Sequence, residues 1–588
     1  MPKNFDKGIK KRIIVVQVVM VMAILLLGLK SFDIQIFKAE DLTKKAENDY
    51  SRHITIKGER GQILDRNFNK LATSVDAISI TACPLKIQNP KIAAKHLAKI
   101  LDLNKKTLQK TLSTKQMFAW VKRRVSPDQA DQIKKLKLHG IYFENDSKRF
   151  YPNKNLAAQI IGFTGNEDNG LEGLEFKYNS VLEGNAVKMR IKRDGNGRVL
   201  NLDKKQRAHL RGNSIILTID KKIQFLSEQT LEKTVKAHRA ESGIALVMRP
   251  ETGEILSIAH FPEFNPNNFK KYSRAIFRNR AVTDAFEPGS AMKVFTAAAA
   301  LEKGFAPKSI FFCENGTYRI GTFTIHDTHP HSWLSINKII KFSSNIGTVK
   351  IAQTIGDKAL YNYFTDFGFG NKTKIASPGE TAGRLTPYGK WSKIDTGAIS
   401  FGQGVSVSAI QLLSGISAIA NNGKLMKPML IKKVVSGNGK TLREFHPQTI
   451  RQVISKKSAR QVKNMMGLVV EAEGTGIKAA IDGYTVCGKT GTAQKALKNK
   501  KGYSKNKYIS VFAGFAPKNN PQLSILIVID EPKRQYYGGD VAAPAFKTIM
   551  TESFAYLNIA PEKTKKETDT KTLIASLSRQ NITGGEEN

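Results

Sequence analysis

Cysteine is nearly absent from this chain: Cys83, Cys313 and Cys487 are the only three in 588 residues. Three thiols cannot all pair internally, and no C-x-x-C or Cys/His spacing suggests a zinc site, so no multi-disulfide framework is expected and no metal is assigned. Acidic residues are also scarce, 50 against 93 Lys and Arg, which leaves a formal net charge of +43. The basic residues are scattered and no nucleic-acid motif accompanies them, so nucleic acid is set aside as the counter-charge in favour of anionic lipid surfaces. No internal repeat is evident, and only one long apolar run is present.

That run, Ile13 to Leu29, is interrupted only by Gln17 and small residues and approaches the roughly 20 residues needed to cross a bilayer. Lys7, Lys10, Lys11 and Arg12 precede it, which by the positive-inside rule keeps residues 1–12 cytoplasmic and sends everything after Lys30 across the membrane. No small-x-small cleavage site follows Leu29, so an uncleaved single-pass anchor at residues 13–30 is expected in the inner (cytoplasmic) membrane, with the body outside the cytoplasm.

The remaining length suffices for two or more domains, and 41% hydrophobic content is ordinary for a globular protein. Residues 31–235 mix short β-like runs, such as Ile54-Thr55-Ile56 and Ile215 to Ile219, with a helical segment near Ile92 to Leu112. Residues 240–556 begin and end with strand-like runs, Gly243 to Met248 and Leu523 to Ile529, with helical stretches between them. The expectation is an α+β catalytic domain with an antiparallel sheet flanked by helices. Residues 557–588 form a charged tail with no room for another folded domain.

Three motifs in fixed order carry the chemistry: Ser290-Ala291-Met292-Lys293, Ser343-Ser344-Asn345 and Lys489-Thr490-Gly491-Thr492. Short patterns recur by chance, and Ser335-Ile336-Asn337-Lys338 and Ser504-Lys505-Asn506-Lys507 satisfy the first two as well. Context separates them. Ser290 follows Glu287-Pro288-Gly289 and opens a run of strong helix formers that ends at Gly304, whereas Ser504 sits among lysines in a polar stretch. K-T-G occurs once.

Residues three apart on a helix share a face, so Lys293 reaches the Ser290 hydroxyl. A serine hydroxyl needs an adjacent base, and a lysine desolvated among apolar neighbours such as Met292 and Val294 serves as one. At a helix N-terminus the Ser290 N–H would stabilise a developing oxyanion. Ser343-Ser344-Asn345 falls at the junction of two short apolar helical stretches, where Ser343 could relay a proton and Asn345 could both donate to and accept from a peptide amide. Helix capping is the alternative use of the same residues. Lys489 to Thr492 lies in a strand-like run with glycines at 488 and 491, which suggests a ligand edge where an extended peptide aligns. Lys489 would supply a fixed cation, Thr490 and Thr492 hydroxyls for a substrate carboxylate beside Gly491, and the Thr492 N–H a second oxyanion donor; a solvated lysine on an ordinary strand is the alternative.

With these residues the chain resembles a class B penicillin-binding protein, a membrane-anchored peptidoglycan D,D-transpeptidase. Arg60-Gly61-Gln62-Ile63-Leu64-Asp65-Arg66-Asn67, Tyr151-Pro152, Gly162, Gly170 to Glu175, Asp194-Gly195-Asn196-Gly197 and Glu473-Gly474-Thr475-Gly476 resemble further family signatures. Ser344 stands where serine β-lactamases carry Asp, which favours the penicillin-binding branch. The resemblance implies a penicillin-binding/serine β-lactamase-like transpeptidase domain at 240–556, preceded by an elongated mixed α/β pedestal, or dimerisation, domain at 31–235. It also implies two-step acyl transfer: Ser290 attacks the penultimate D-Ala carbonyl of a donor stem peptide, D-Ala leaves, and an acceptor amine resolves the acyl-enzyme.

The motif surroundings further resemble the division-specific FtsI type, with elongation- and sporulation-specific enzymes as near rivals. That likeness implies peptidoglycan stem peptides and lipid-linked precursor-derived glycan as substrate, β-lactams as covalent inhibitors, and a polytopic FtsW-type glycosyltransferase with other divisome proteins as partners. No cofactor and no metal is assigned: His326, His329 and His331 cluster, but beside Pro330 and in a loop-like stretch. A non-turnover β-lactam sensor or division scaffold, and a hydrolase whose deacylating base the sequence does not identify, are the other readings.

Overall fold

The computed structural model describes residues 5–192, 210–497 and 502–562. The Asp194 to Gly197 signature, the lysines at 498, 500 and 501, and the tail beyond Glu562 lie outside the described residues. Packing divides the chain into two units, Met1–Glu59 with Gly184–Arg211, and Arg60–Glu183 with Gly212–Asn588.

The first unit opens with a 28-residue helix, Phe5–Phe32. It starts ahead of the apolar run, so the basic flank Lys7 to Arg12 is helical too. At 1.5 Å per residue it is about 42 Å long, more than the roughly 30 Å hydrocarbon thickness of a bilayer. Its apolar side chains from Ile13 to Leu29 are all exposed. A helix apolar all round and covered by nothing fits a single-pass membrane anchor. A π-helical turn Asp33–Phe37 and helix Ala39–Tyr50 follow, and strand Ser51–Lys57 pairs antiparallel with Ala186–Lys192.

In the second unit a five-stranded, wholly antiparallel sheet runs in the order Cys487–Ala496, Tyr503–Ala516, Leu523–Asp530, Ser242–Met248, Ile255–Phe261. Side chains alternate between its faces, and both faces are covered, which is why the inner strands Ser242–Met248 and Leu523–Asp530 read as nearly continuous apolar runs. Ala245, Val247, Ile525, Ile527 and Phe512 pack with helices Lys221–Ala237 and Ala543–Tyr556. Leu246, Met248, Leu526, Val528, Val511 and Ala513 face the other core, built around helix Ala409–Ala420, which is buried on every side.

A second sheet joins Thr441–Glu444, Ile431–Val435, Ser214–Leu217, Ile63–Leu64 and Lys70–Ala82, the last pairing with both Ala119–Val125 and Ile141–Phe150. The expected boundary near 235–240 is therefore not a break in packing. Helix Lys221–Ala237 was assigned to the N-terminal domain, but Ile223, Leu231 and Val235 are buried against the five-stranded sheet. Strand Ile431–Val435, from the C-terminal half, extends the other sheet by pairing with Ser214–Leu217. The single helix anticipated near Ile92 to Leu112 is two, Pro90–Leu101 and Lys105–Leu112, because Asp102 turns left-handed (φ 53°) and Asn104 caps the second helix by accepting from the Thr107 N–H.

The quoted N-terminal signatures converge on one buried carboxylate. Glu175 accepts from Arg60 Nε and Arg149 Nε, each at 2.6 Å, with all three side chains almost wholly buried. Arg60 also donates to the Asp168 carbonyl and to Asn179 Oδ1, and Arg149 to the Gly61 carbonyl. Beside them, burial lifts the Tyr151 hydroxyl well above its ordinary pKa, and the Glu175 charge adds to this.

Candidate active site

Ser290 sits in a 3₁₀ turn, Gly289–Met292, that runs directly into helix Lys293–Glu302. Strong helix formers from Lys293 to Leu301 are all buried, which drives this helix into the core and carries Lys293 with it. Sequence reasoning placed Ser290 at the start of the helix proper; it occupies the tighter turn one step before. Ser290 is half-buried, and its hydroxyl has no hydrogen-bond partner among the described residues. Of the two decoys, Ser335 caps helix Ile336–Phe342 by accepting from the Lys338 N–H. Ser504 lies in strand Tyr503–Ala516 rather than in a loop.

Lys293 is fully buried, and its Nζ donates to the Ser343 carbonyl at 2.5 Å and to Asn345 Oδ1 at 2.7 Å, with Ser343 Oγ at 3.3 Å. Burial lowers its pKa to about 7, partly opposed by the negative charge of Asp327. A neutral amine has two N–H groups and one lone pair. Two short bonds to oxygen use both N–H groups, and the remaining contact is Ser343 Oγ at 3.3 Å; among the described residues Lys293 makes no hydrogen bond to the Ser290 hydroxyl, so the contact expected from their spacing is not formed here.

Ser343 and Asn345 stand at a helix junction, as their pattern implied: helix Ile336–Phe342 ends at Ser343 and helix Asn345–Ile355 begins two residues on. Ser343 adopts φ 59°, a left-handed conformation uncommon for a residue with a side chain. Ser344 makes the capping contact, accepting from the Gly347 N–H at 2.9 Å. Capping thus falls to the middle residue and leaves Ser343 and Asn345 for the lysines.

Asp327 was missed by sequence reasoning. Its carboxylate accepts from Ser344 Oγ at 2.5 Å, from the Ile346 N–H at 3.1 Å and from the Asn345 N–H. A carboxylate on the first N–H groups of a helix satisfies orphan donors and complements the helix dipole. The adjoining His326 carbonyl accepts from Asn345 Nδ2 at 2.8 Å, which turns Asn345 Oδ1 toward Lys293. The only sequence signal was the cluster Ile325 to His331, whose histidines drew attention away from the aspartate between them.

Lys489 is fully buried on strand Cys487–Ala496. Its Nζ donates to Ser343 Oγ at 2.9 Å and to the Thr490 carbonyl at 3.1 Å. Burial, and then the charge of Lys293, holds its pKa well below the usual lysine value. Two lysines thus converge on the one Ser343 hydroxyl, and simultaneous protonation of both is disfavoured. Thr490 Oγ1 lies 2.9 Å from Thr475 Oγ1, which gives the Glu473 to Gly476 signature its place. Thr492 Oγ1 accepts from the Gly538 N–H at 3.0 Å.

This strand is the free edge of its sheet, so half of its backbone groups point away from any partner strand. The space that a side chain would need at its glycines is taken by the protein's own atoms. A Cβ on Gly491 would lie 2.6 Å from the Pro288 carbonyl oxygen, and one on Gly488 2.4 Å from the Phe512 ring. Gly491 lets the nucleophile turn press against the strand, and Gly402, at φ 88°, does the same from the other side, where a Cβ would meet the Gly289 carbonyl at 2.2 Å. Cys487, two residues before Lys489, is packed behind the strand and donates to the Lys463 carbonyl, with its thiol pushed up to about 12 by burial.

Residues 243–551 match the penicillin binding protein transpeptidase domain and residues 55–217 the penicillin-binding protein dimerisation domain. A probable peptidoglycan D,D-transpeptidase PenA of Neisseria meningitidis is 36% identical over 554 residues, 93% of each chain. The peptidoglycan D,D-transpeptidase FtsI of Escherichia coli is 33% identical over 540 residues, covering 90% of this chain and 89% of its own. The crystal structure of penicillin binding protein 3 from Mycobacterium tuberculosis complexed with aztreonam superposes with a TM-score of 0.68 at 27% identity, over 86% of this chain and 98% of that one.

Proposed function

This chain belongs to the class B penicillin-binding proteins, and from that membership we propose how it acts as a serine peptidoglycan D,D-transpeptidase and where in the cell it does so. Ser290 is the nucleophile and neutral Lys293 its general base, a role worth about 10²- to 10⁴-fold in rate. The Lys293 pKa of about 7, set by burial, keeps a large fraction neutral at physiological pH. The Ser290 and Thr492 N–H groups hold the oxyanion, the Ser343 hydroxyl passes the proton to the leaving D-Ala amine, and Asn345 orients the donor amide. Lys489, with Thr490, Gly491 and Thr492, binds the donor along the free strand edge. The observation that carries this reading is the convergence of Lys293 and Lys489 on Ser343 Oγ.

Capture of a labelled β-lactam tests it. Ser290→Ala is expected to abolish covalent labelling, and Ser335→Ala and Ser504→Ala to retain it. Persistent labelling of the Ser290→Ala protein overturns the assignment.

The cellular role we infer is septal. The protein sits in the inner membrane with its N-terminus cytoplasmic and works beside a polytopic FtsW-type glycosyltransferase, contacted through the anchor helix and the N-terminal domain. Supporting this are the basic flank before the apolar run, the likeness to FtsI, and the need of a transpeptidase for fresh glycan strands. Depletion is expected to give filaments with stalled septa. Bulging or rounded cells would instead assign the protein to elongation, and full rescue of division by a variant lacking residues 1–30 would refute a required anchor.

A further inference from the structure

A cavity of about 450 Å³ opens where the turn at residues 65–70 meets the start of helix Lys221–Ala237 and the end of helix Ala543–Tyr556. Its size falls within the roughly 300–1,000 Å³ of small-ligand sites. None of the three motifs lines it. It lies with the helices that cover one face of the five-stranded sheet, whereas helix Lys293–Glu302 packs in the core on the other.

The floor of this cavity is already satisfied. Asp220 Oδ1 accepts from the Lys222 and Ile223 N–H groups, and Asp65 Oδ2 from the Lys221 N–H at 3.1 Å, so the first donors of the helix are taken. The same two carboxylates offset the Lys221 and Lys222 ammonium groups, and no net charge remains to attract an anion. The asparagines are used the other way round. Asn67 Nδ2 donates to Asp220 Oδ2 at 3.1 Å, Asn69 Nδ2 to Asp65 Oδ2 at 3.0 Å, and Asn153 Nδ2 to the Lys70 carbonyl at 2.7 Å. Each of those partners can only accept, which fixes the amide nitrogen against it and leaves the amide oxygen for the cavity. None of the three oxygens accepts a hydrogen bond among the described residues, and neither lysine ammonium makes a hydrogen bond or ion pair there. The Phe225 ring is 48% exposed on the wall, with Lys222 Nζ 5.9 Å from its centroid.

Three acceptors, two cationic donors and an uncovered aromatic ring in a charge-balanced cavity suit a neutral ligand with many hydroxyl or amide donors and a flat C–H face. A pyranose ring has such a face, with its hydroxyls around the rim, and the negative face of an aromatic ring attracts those C–H bonds. We propose that this cavity is an exosite for the N-acetylated amino-sugar backbone of the wall glycan. The sugar ring stacks on Phe225, its hydroxyls and acetamido N–H donate to Asn67, Asn69 and Asn153, and its acetyl carbonyl accepts from Lys221 or Lys222. The saccharide class follows from the cavity, while the choice of an amino sugar rests on the transpeptidase reading, whose stem peptides are borne on that polymer. Because the cavity lies across the sheet from the helix that follows Ser290, a strand bound here leaves the acylation site open. Holding it raises the effective concentration of its stem peptides.

The test is isothermal titration calorimetry of the full chain in detergent with tetra-N-acetylchitotetraose, a peptide-free amino-sugar oligomer, and with maltotetraose, which has ring faces and hydroxyls but no acetamido group. Saturable binding of the first is expected, at least tenfold tighter than that of the second and unchanged after Ser290 has been blocked with a β-lactam. Phe225→Ala, at an exposed position, is expected to weaken binding at least tenfold and Phe225→Trp to restore it, with covalent β-lactam labelling at the wild-type rate in both. Absence of saturable binding, equal binding of the two oligomers, or unchanged affinity in Phe225→Ala overturns the proposal. So does loss of binding on β-lactam blockade, which would place the oligomer in the acylation site. A wild-type chain that takes no β-lactam label overturns the transpeptidase reading and with it the choice of amino sugar, whereas the titration reads the cavity independently.

Discussion

The carboxylate of Asp327 and the hydroxyl of Ser344 lie 2.5 Å apart, and the same carboxylate accepts from the backbone N–H of Asn345 and of Ile346. One side chain outside all three motifs thus anchors the middle of the second motif. Ser343 and Asn345, on either side of Ser344, are the residues that hold the Lys293 amine.

Asp327→Ala is therefore expected to act on chemistry and stability together. Removing a carboxylate from buried donors costs about 1–3 kcal/mol, read as a lower Tm. Release of the helix start should slow β-lactam acylation by about tenfold or more. Asp327→Asn, which keeps one acceptor oxygen, should recover part of both losses. Wild-type acylation by the alanine variant would show that the junction holds without it.

Lys293 gives a pH prediction. In the proposed mechanism the base is the neutral amine, so the second-order acylation rate should rise as pH passes through about 7 and level off above it. Stability has a sign as well. The folded-state pKa is depressed, so between about 7 and the ordinary lysine value of 10.5 the unfolded chain binds the extra proton, and stability rises with pH across that window. Lys293→Arg stays protonated and should reduce acylation by about 10²-fold or more at every pH. A pH-independent wild-type rate between 6 and 8 would remove Lys293 from the base role.

Gly491→Ala puts a methyl group 2.6 Å from the Pro288 carbonyl. The clash is with backbone, so strand and nucleophile turn must separate, at a cost of about 1–3 kcal/mol. Acylation should fall more steeply than the melting temperature, because Ser290 shifts relative to the strand that carries Lys489. Gly304→Ala, where a Cβ meets nothing within 4 Å but φ is 92°, is the control for backbone strain without displacement of the turn.

Glu175→Gln leaves Arg60 and Arg149 buried with their shared charge partner removed. Breaking such a pair from one side costs about 3–5 kcal/mol. Thermal unfolding should show the full loss, while the Lys293 and Lys489 geometry, built on other elements, should give near-normal acylation in whatever fraction remains folded. A loss of acylation per folded molecule would indicate that the two regions are coupled.

Much of the site could be read from the chain because its members are local. Ser290 and Lys293 share one helical turn, Ser343 to Asn345 one junction, and Lys489 to Thr492 one strand, and helix formers, helix ends and β-formers each leave their mark on adjacent residues. The apolar run from Ile13 to Leu29 is legible for the same reason. Misreadings arose where a residue's partner is distant in sequence. Nothing near Gly491 in the sequence announces that Pro288 fills the space of its missing side chain; helix Lys221–Ala237 looked like the end of one domain and packs on the sheet of the next.

By itself, then, the sequence determined the three motifs proposed to carry acyl transfer, the order in which the chain presents them and the long apolar helix near its start, since each depends on neighbours a few residues away. Only the tertiary structure decided that Lys293 is buried, with its pKa lowered to about 7, that Lys489 meets it at one hydroxyl, and that Asp327 holds the second motif in place. Burial, electrostatics and unmet hydrogen bonds depend on what surrounds a group in space, and those surroundings come from segments tens to hundreds of residues away.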